Sequence, residues 1–372
     1  MSRRPDGTVG ARRRRVPVAA LIALLAGAGA CTGSPGDQQT SPGSGTAARS
    51  AAGPTPDCGE LCVSPEPVRI GATVPLSGPL AAYGRAQRAG MERAVAAATD
   101  DDGQLQVGGL RRPVELDVRD DQGDADVAAQ WLLQLVRRRH PVTALLGPCS
   151  ASAVEVRLAE AREVPLLSGC ARGALAGVPE GRAWSWQVGP TEAERATAVL
   201  TALRTAGPVA LLVTPGHDVA PYRAAAVAAG VRLLGPWEPG DDGWRSAARA
   251  AAAAGARGVL ALTEPPAGRS LWPALTAAGL RPVAAYASEA ALPGWPGVDL
   301  PDGVLTDATG PLPAAPEAAV EAGAAEATAA VLAAVRSAGN DRPQDLRAAL
   351  AEADLRRPYR LARRVGDRLV PP

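Results

Sequence analysis

Unaided catalysis needs a nucleophile beside a base, or carboxylates held at a working distance, and this chain offers little of either. It carries five cysteines and two histidines. His217 directly precedes Asp218, which points the two side chains apart, and no nucleophile shares their loop. His140 follows Arg137–Arg139 at the end of a helical pattern, where it meets the negative end of the helix dipole. Neither GxSxG nor HExxH occurs. Cys58-Gly59-Glu60-Leu61-Cys62 is a poor zinc pattern with both histidines far away. The expectation is a protein with no catalytic residue, no metal and no cofactor.

Binding is better supplied. Val68–Gly84, VRIGATVPLSGPLAAYG, reads as a buried strand running into a turn at Ser77-Gly78-Pro79 and then a helix beginning near Tyr83. A strand end that feeds a helix start leaves unpaired backbone N–H groups facing a crevice, a setting that suits a small anionic group.

The elements around this stretch alternate. Val114, Leu116 and Val118 interleave with Glu115, Asp117 and Arg119, a strand with one wet face. Asp124 can cap a helix whose Val127, Trp131, Leu135 and Val136 form one stripe. Val142–Leu146 and Val164–Leu167 read as buried strands, with a capping box at Ser152 and Glu155 between them. A second cycle starts after Trp184-Ser185-Trp186, two tryptophans placed to pack at the boundary, and Thr191 with Glu194 forms another capping box. Strands at Val209–Val213, Val231–Leu234, Gly258–Leu262 and Val283–Tyr286 alternate with helices near 218–229, 243–255 and 268–279. Gly303–Ala308 looks like a strand returning to the first lobe. Helices near 317–337 and 343–353 and a weak strand pair (Tyr359–Leu361, Arg368–Val370) close the chain. The fold class expected is α/β: two doubly wound parallel-sheet lobes with a cleft between them. The lobes comprise 68–188 plus about 303–340, and 189–302 plus about 341–372.

With 39 basic and 38 acidic residues, the chain as a whole gives no sign of nucleic-acid binding. The balance is uneven along it. Six Arg against Asp6 give residues 1–30 a net +5, and the remainder is then near −4. Lys and Phe are absent while Ala, Gly and Pro dominate, a GC-rich coding bias that weakens inference from alanine-rich helices.

Arg12–Arg15, the eleven-residue apolar run Val16–Ala26 and the small residues Gly27–Ala30 form a signal segment over 1–30, too short to cross a bilayer. Ala28-Gly29-Ala30-Cys31 resembles a bacterial lipobox, which implies lipidation at Cys31; the family pattern prefers Leu where Ala28 stands, and an ordinary small-x-small cleavage site is the other reading. Residues 31–67, rich in Ser, Gly, Pro, Thr and Ala, read as a flexible tether. Setting Cys31 aside leaves an even number of cysteines for an oxidising compartment: Cys58 with Cys62 closes a local loop, and Cys149 and Cys170 each follow a strand and can pair.

Three runs, VRIGATVPLSGPLAAYG, VELDVRDDQGDADVAA and TALLGPCSASAVEVRLAEAREVPLLSGCA, together resemble the periplasmic branched-chain amino acid binding proteins. These are type I solute receptors of ABC importers. The likeness is strong from Val68 to about Ala176, holds in layout from 190 to 310 and is faint beyond. It implies that a ligand's carboxylate and ammonium are held between lobes. Carried over by position, the implied ligand residues are Ser77, Tyr83, Ser150 (or Ala151 if no gap is placed), Cys170, Arg172 and Glu289.

Plainer roles stand beside these. Ser150 can satisfy a turn, Tyr83 can pack at the rim and Glu289 can be a solvated loop charge. Arg172 replaces a ligand-bonding threonine of the family; it lies along the surface, or it faces the cleft and favours a carboxylate or phosphate. The function implied is an extracytoplasmic lipoprotein on the outer face of the cytoplasmic membrane. It binds a small polar ligand, an amino acid or related amide or acid, and passes it to an ABC permease. The alternative is a sensing or interaction lipoprotein of the same fold that has lost transport-type binding.

Overall fold

Strand β1 (Val68–Val74) is apolar along almost its whole length because it is covered on both faces, as central parallel strands are. In this computed structural model, residues 66–137, 141–147, 153–169, 183–215, 217–263, 270–288, 303–307, 312, 314–357, 359–366 and 368–372 are described. After β1, a single 3-10 turn at Gly78–Leu80 leads into α1 (Ala81–Ala98), which begins slightly earlier than the sequence suggests. The antiparallel hairpin β2 (Gln104–Val107) and β3 (Leu110–Asp120) follows, then α2 (Ala125–Arg137), β4 (Ala144–Leu146), α3 (Ala153–Arg162), β5 (Leu166–Ser168) and β6 (Ser185–Gln187). These strands make one sheet in the order β2-β3-β1-β4-β5-β6, parallel except for β2.

The second cycle comprises α4 (Glu192–Leu203), β7 (Val209–Val213), α5 (Ala220–Ala229), β8 (Leu233–Trp237), α6 (Arg245–Ala253), β9 (Gly258–Leu262), α7 (Leu271–Ala277), β10 (Ala284–Ala287) and β11 (Leu305–Asp307). Helices α8 (Pro316–Ala338) and α9 (Pro343–Glu352) then precede the hairpin β12 (Leu361–Val365) and β13 (Arg368–Val370). The second sheet runs β13-β12-β11-β10-β9-β7-β8, parallel from β8 to β11.

Both sheets are covered twice, and the covering explains the composition of the strands. Val68, Ile70, Ala72 and Val74 face Met91 of α1, Val331 and Val335 of α8, and Leu346 and Leu350 of α9. Leu145 and Leu166 meet Leu132 and Leu135 of α2 and Val156 of α3 on the other face. In the second sheet, Leu211 and Leu260 face α4 and α5, while Ala210, Leu212 and Val259 face α6 and α7. Residues 317–338 have the length and hydropathy of a bilayer span, but over half of that window is buried in the body and packs on α1.

The return to the first lobe comes later than Gly303–Ala308. Strand β11 pairs with β10 and β12 inside the second sheet, and the next element, α8, carries the chain back. Helix α9 stays on the first lobe, and only β12 and β13 lie in the second sheet. Three connections therefore pass between the sheets: 188–191, the stretch from β11 to α8, and the stretch from α9 to β12. At the opposite edge, buried Arg112 donates from Nε to the Glu66 carbonyl (2.9 Å) and from Nη2 to the Pro67 carbonyl (3.3 Å) and Asp341 Oδ2 (2.8 Å).

Candidate functional site

A doubly wound sheet opens a crevice beyond the carboxyl ends of its strands, where the strand order reverses. That reversal falls between β1 and β4 in the first sheet and between β7 and β9 in the second. The residues just past these strand ends make the candidate ligand site.

On the first lobe, two of the motifs that carry the resemblance meet. Asp120, the last residue of β3, accepts from the backbone N–H groups of Leu76 (2.9 Å), Ser77 (3.3 Å) and Gln122 (2.9 Å) through one oxygen. Burial alone would raise its pKa, but these bonds and one from the Ser77 hydroxyl hold it below the usual carboxylate range. The DDQG turn passes through left-handed backbone at Gln122 (φ 59°) and Gly123 (φ 76°), the latter the kind of position glycine favours. Trp131 donates its Nε1–H to the Asp120 carbonyl at 3.0 Å, and the Arg119 guanidinium lies 5.4 Å from the same ring, so α2 is tied to this corner. Gly84 has its own reason: a Cβ there would overlap the Pro75 carbonyl, so only glycine lets the first turn of α1 abut the end of β1.

Ser77 is exposed on this turn, and neither its side chain nor that of Leu80 caps the following helical residues. The Leu76 and Ser77 N–H groups are taken by Asp120 and Pro79 has none, so this turn is fixed from within and presents its exposed Ser77 at the strand end. Tyr83 is only 6% exposed and packs with Ala86 and with Val320 of α8. Ser150, Cys170, Arg172 and Glu289 lie outside the described residues, as do all five cysteines, His140 and the Ser152–Glu155 capping box. In sequence, Ser150 follows β4, Cys170 and Arg172 follow β5, and Glu289 follows β10.

On the second lobe, three hydroxyl residues close the strands: Thr214 after β7, Thr263 after β9 and Ser288 after β10, all buried. Ser288 Oγ donates to the Thr263 carbonyl (3.0 Å) and accepts from its N–H (3.2 Å), which locks the ends of β9 and β10 together. His217 is half-buried, with Nδ1 3.1 Å from Thr214 Oγ1 and 3.2 Å from the Thr214 carbonyl oxygen. Nothing in the sequence singles out the three hydroxyl residues; a lone Thr or Ser at a strand end looks like any turn residue. Asp124 and Thr191 do cap their helices: Asp124 Oδ1 accepts from Asp126 and Val127, and Thr191 and Glu194 exchange both capping-box bonds. Buried Trp184 lies under the Arg347 guanidinium of α9, 5.4 Å from its ring, and Trp186 packs against the first-lobe core. Among the described residues no cluster of His, Cys, Asp and Glu is suited to a metal ion.

Two doubly wound sheets joined by three connections are the architecture of type I periplasmic binding proteins. A leucine-binding protein from Thermotoga maritima superposes with a TM-score of 0.62 at 17% identity, covering 76% of this chain and 87% of that one. A solute-binding protein of an ABC transporter from R. palustris, in complex with 4-hydroxybenzoate, gives 0.63 at 16% identity over 82% and 96%. A fatty acid ABC transporter substrate-binding protein from Thermomonospora curvata gives 0.57 at 18% identity over 77% and 82%. No curated protein matches the sequence. The family model described as periplasmic binding protein matches residues 67–366, and the chain belongs to that family.

Proposed function

We propose that this protein is the extracytoplasmic substrate-binding lipoprotein of an ABC importer, and that it closes its lobes on a small carboxylate-bearing ligand and delivers it to a membrane permease. The observation that carries the reading is the pairing of the two strand-end rims. One carries the exposed Ser77 on a turn that Asp120 fixes, and the other ends in the hydroxyl residues Thr214, Thr263 and Ser288 with the half-buried imidazole of His217 beside them. Leucine, 4-hydroxybenzoate and fatty acid, the compounds that name the structural neighbours or their complexes, share a carboxylate on a small body. Arg172, turned inward, would add a bidentate partner for that group. Ser150, Cys170 and Glu289 complete the proposed ligand set together with Ser77; Tyr83, buried as it is, supports the rim by packing. The protein acts by ligand-driven closure, not by catalysis, and works without cofactor or metal.

In this reading residues 1–30 direct export, Cys31 bears the lipid, and 31–67 tether the body to the outer face of the cytoplasmic membrane. Cys58–Cys62 and Cys149–Cys170 form the disulfides. A sensing lipoprotein of the same fold is the second reading, favoured by the loss of the family's ligand-bonding threonine at Arg172. A thermal-shift panel of amino acids, aromatic acids, medium-chain fatty acids, small amides and sugars separates the two. A ligand at a hundred times its Kd adds about 2.7 kcal/mol to stability. One or more acids raising Tm supports the importer reading, and silence across the panel supports the sensor.

A further inference from the structure

One guanidinium in the second lobe is buried between two carboxylates. Arg195 on α4 is 5% exposed; its Nη1 donates to Glu192 Oε2 one turn earlier, and its Nε lies 3.2 Å from Asp307 Oδ2. Asp307 Oδ1 accepts from both Tyr286 and Tyr359, each at 2.6 Å, and Tyr222 donates to Glu192 Oε1. Three of the chain's four tyrosines are thus spent on two acids. Such a cluster is a poor device for stability alone, since well-packed apolar residues of similar volume often match or exceed a buried ion pair. Its distinguishing property is the set of directional tyrosine–carboxylate bonds arranged around the Arg195–Asp307 ion pair.

That geometry falls at one kind of place. Glu192 opens α4 directly after the first inter-lobe connection, Asp307 ends β11 directly before the second, and Tyr359 stands two residues before β12 at the end of the third. Backbone bonds also tie the connections to one another and to the second sheet. Gly189 N–H on the first connection donates to the Leu355 carbonyl on the third at 2.9 Å. Ala314, on the second, exchanges two bonds with Leu369 of β13 at 3.0 and 2.8 Å.

We infer that Arg195, with Glu192 and Asp307, is a hinge clamp: it binds the second-lobe ends of all three connections into one block, so that lobe rotation is taken up on the first-lobe side of that block. Arg195 is a positioning residue here and touches no ligand. The inference rests on the two-lobe fold and is independent of which ligand binds, so its test needs none.

The test is hydrogen–deuterium exchange on the full chain, comparing Tyr359→Phe and Arg195→Met with Leu200→Ala, a cavity variant in the same helix and core that removes none of the cluster's polar bonds. Removing one clamp bond at the third connection is expected to quicken exchange about tenfold at Gly189 and Ala314 as well as around 359–362, since all three share one opening event. Amides of β7 and β9 keep their protection. Arg195→Met is expected to show the same pattern more strongly; if it does not fold, Tyr359→Phe decides. Acceleration confined to the neighbourhood of residue 359, no acceleration at all, or the same three-site pattern in Leu200→Ala overturns the inference.

Discussion

Gly169, at the end of β5, lies against the carbonyl of Gly323 in α8, and a Cβ on residue 169 would overlap that oxygen. Gly90 of α1 meets the Glu321 carbonyl in the same way. Helix α8 is thus seated on the first lobe by backbone contact at two glycines, one on a strand end and one on a helix. Backbone cannot swing aside as a side chain does, so Gly169→Ala is expected to destabilise by about 1–3 kcal/mol or more. Thermal or urea denaturation measures it. A variant as stable as the parent would show that α8 is free to shift.

Asp120 gives a second test, in which structure and binding separate. Asp120→Ala takes one acceptor from three backbone N–H groups, at a cost of about 1–3 kcal/mol. The larger effect is expected on affinity for whatever acid the thermal-shift panel identifies, because the Ser77 turn loses its fixed position. Calorimetric titration of parent and variant is the check; equal affinities would remove this turn from the site.

Asp121 is buried, and burial raises its pKa from 3.8 to about 6, with the charges of Asp120 and Asp124 adding to the rise and the Gly123 N–H bond opposing it. Between pH 4 and 6 the folded chain holds this proton while the unfolded chain releases it, so by linkage stability falls as pH rises through that window. Each pH step across it removes about 1.4 kcal/mol, which makes the cost above pH 6 roughly 3 kcal/mol. Asp121→Asn keeps an acceptor for the Gly123 N–H and removes the charge. It is expected to raise Tm at pH 7.5 and to make little difference at pH 4; an equal gap at both values would refute the assignment.

Cys31→Ala tests the proposed attachment directly. Expressed in a bacterial host with lipoprotein processing, the parent chain is expected in the membrane fraction and the variant in the soluble extracytoplasmic fraction. Membrane retention of the variant would leave the lipid leash without support.

Strands β7 and β9 are legible in the sequence because a strand buried on both faces is one continuous apolar run, and Val209–Val213 and Gly258–Leu262 have no other reading. The capping box at Thr191 is legible for a similar local reason. Strand β2 is not: Gln104–Val107 is only four residues long, with two apolar positions between acidic and glycine-rich turns, so only its pairing with β3 defines it. Which sheet β11 joins is equally invisible, because Leu305–Asp307 carries no local sign of its neighbours β10 and β12. The Arg195 cluster is the extreme case. Asp307 finds Tyr359 fifty-two positions away, and nothing in either segment announces the other. The site divides along the same line: the turn motifs around Ser77 and Asp120 could be read directly, whereas Thr214, Thr263 and Ser288 acquire meaning only once their strands lie side by side.

Arg112 grips the two carbonyls that lead into β1 and, through Asp341, the start of α9. Strand β1 is flanked by β3 and β4 on its two sides, so tension arriving from residue 66 would have to shear two ladders at once. The guanidinium fastens the same two residues to the segment that opens α9, so the lead into β1 is held by the sheet and by a helix together.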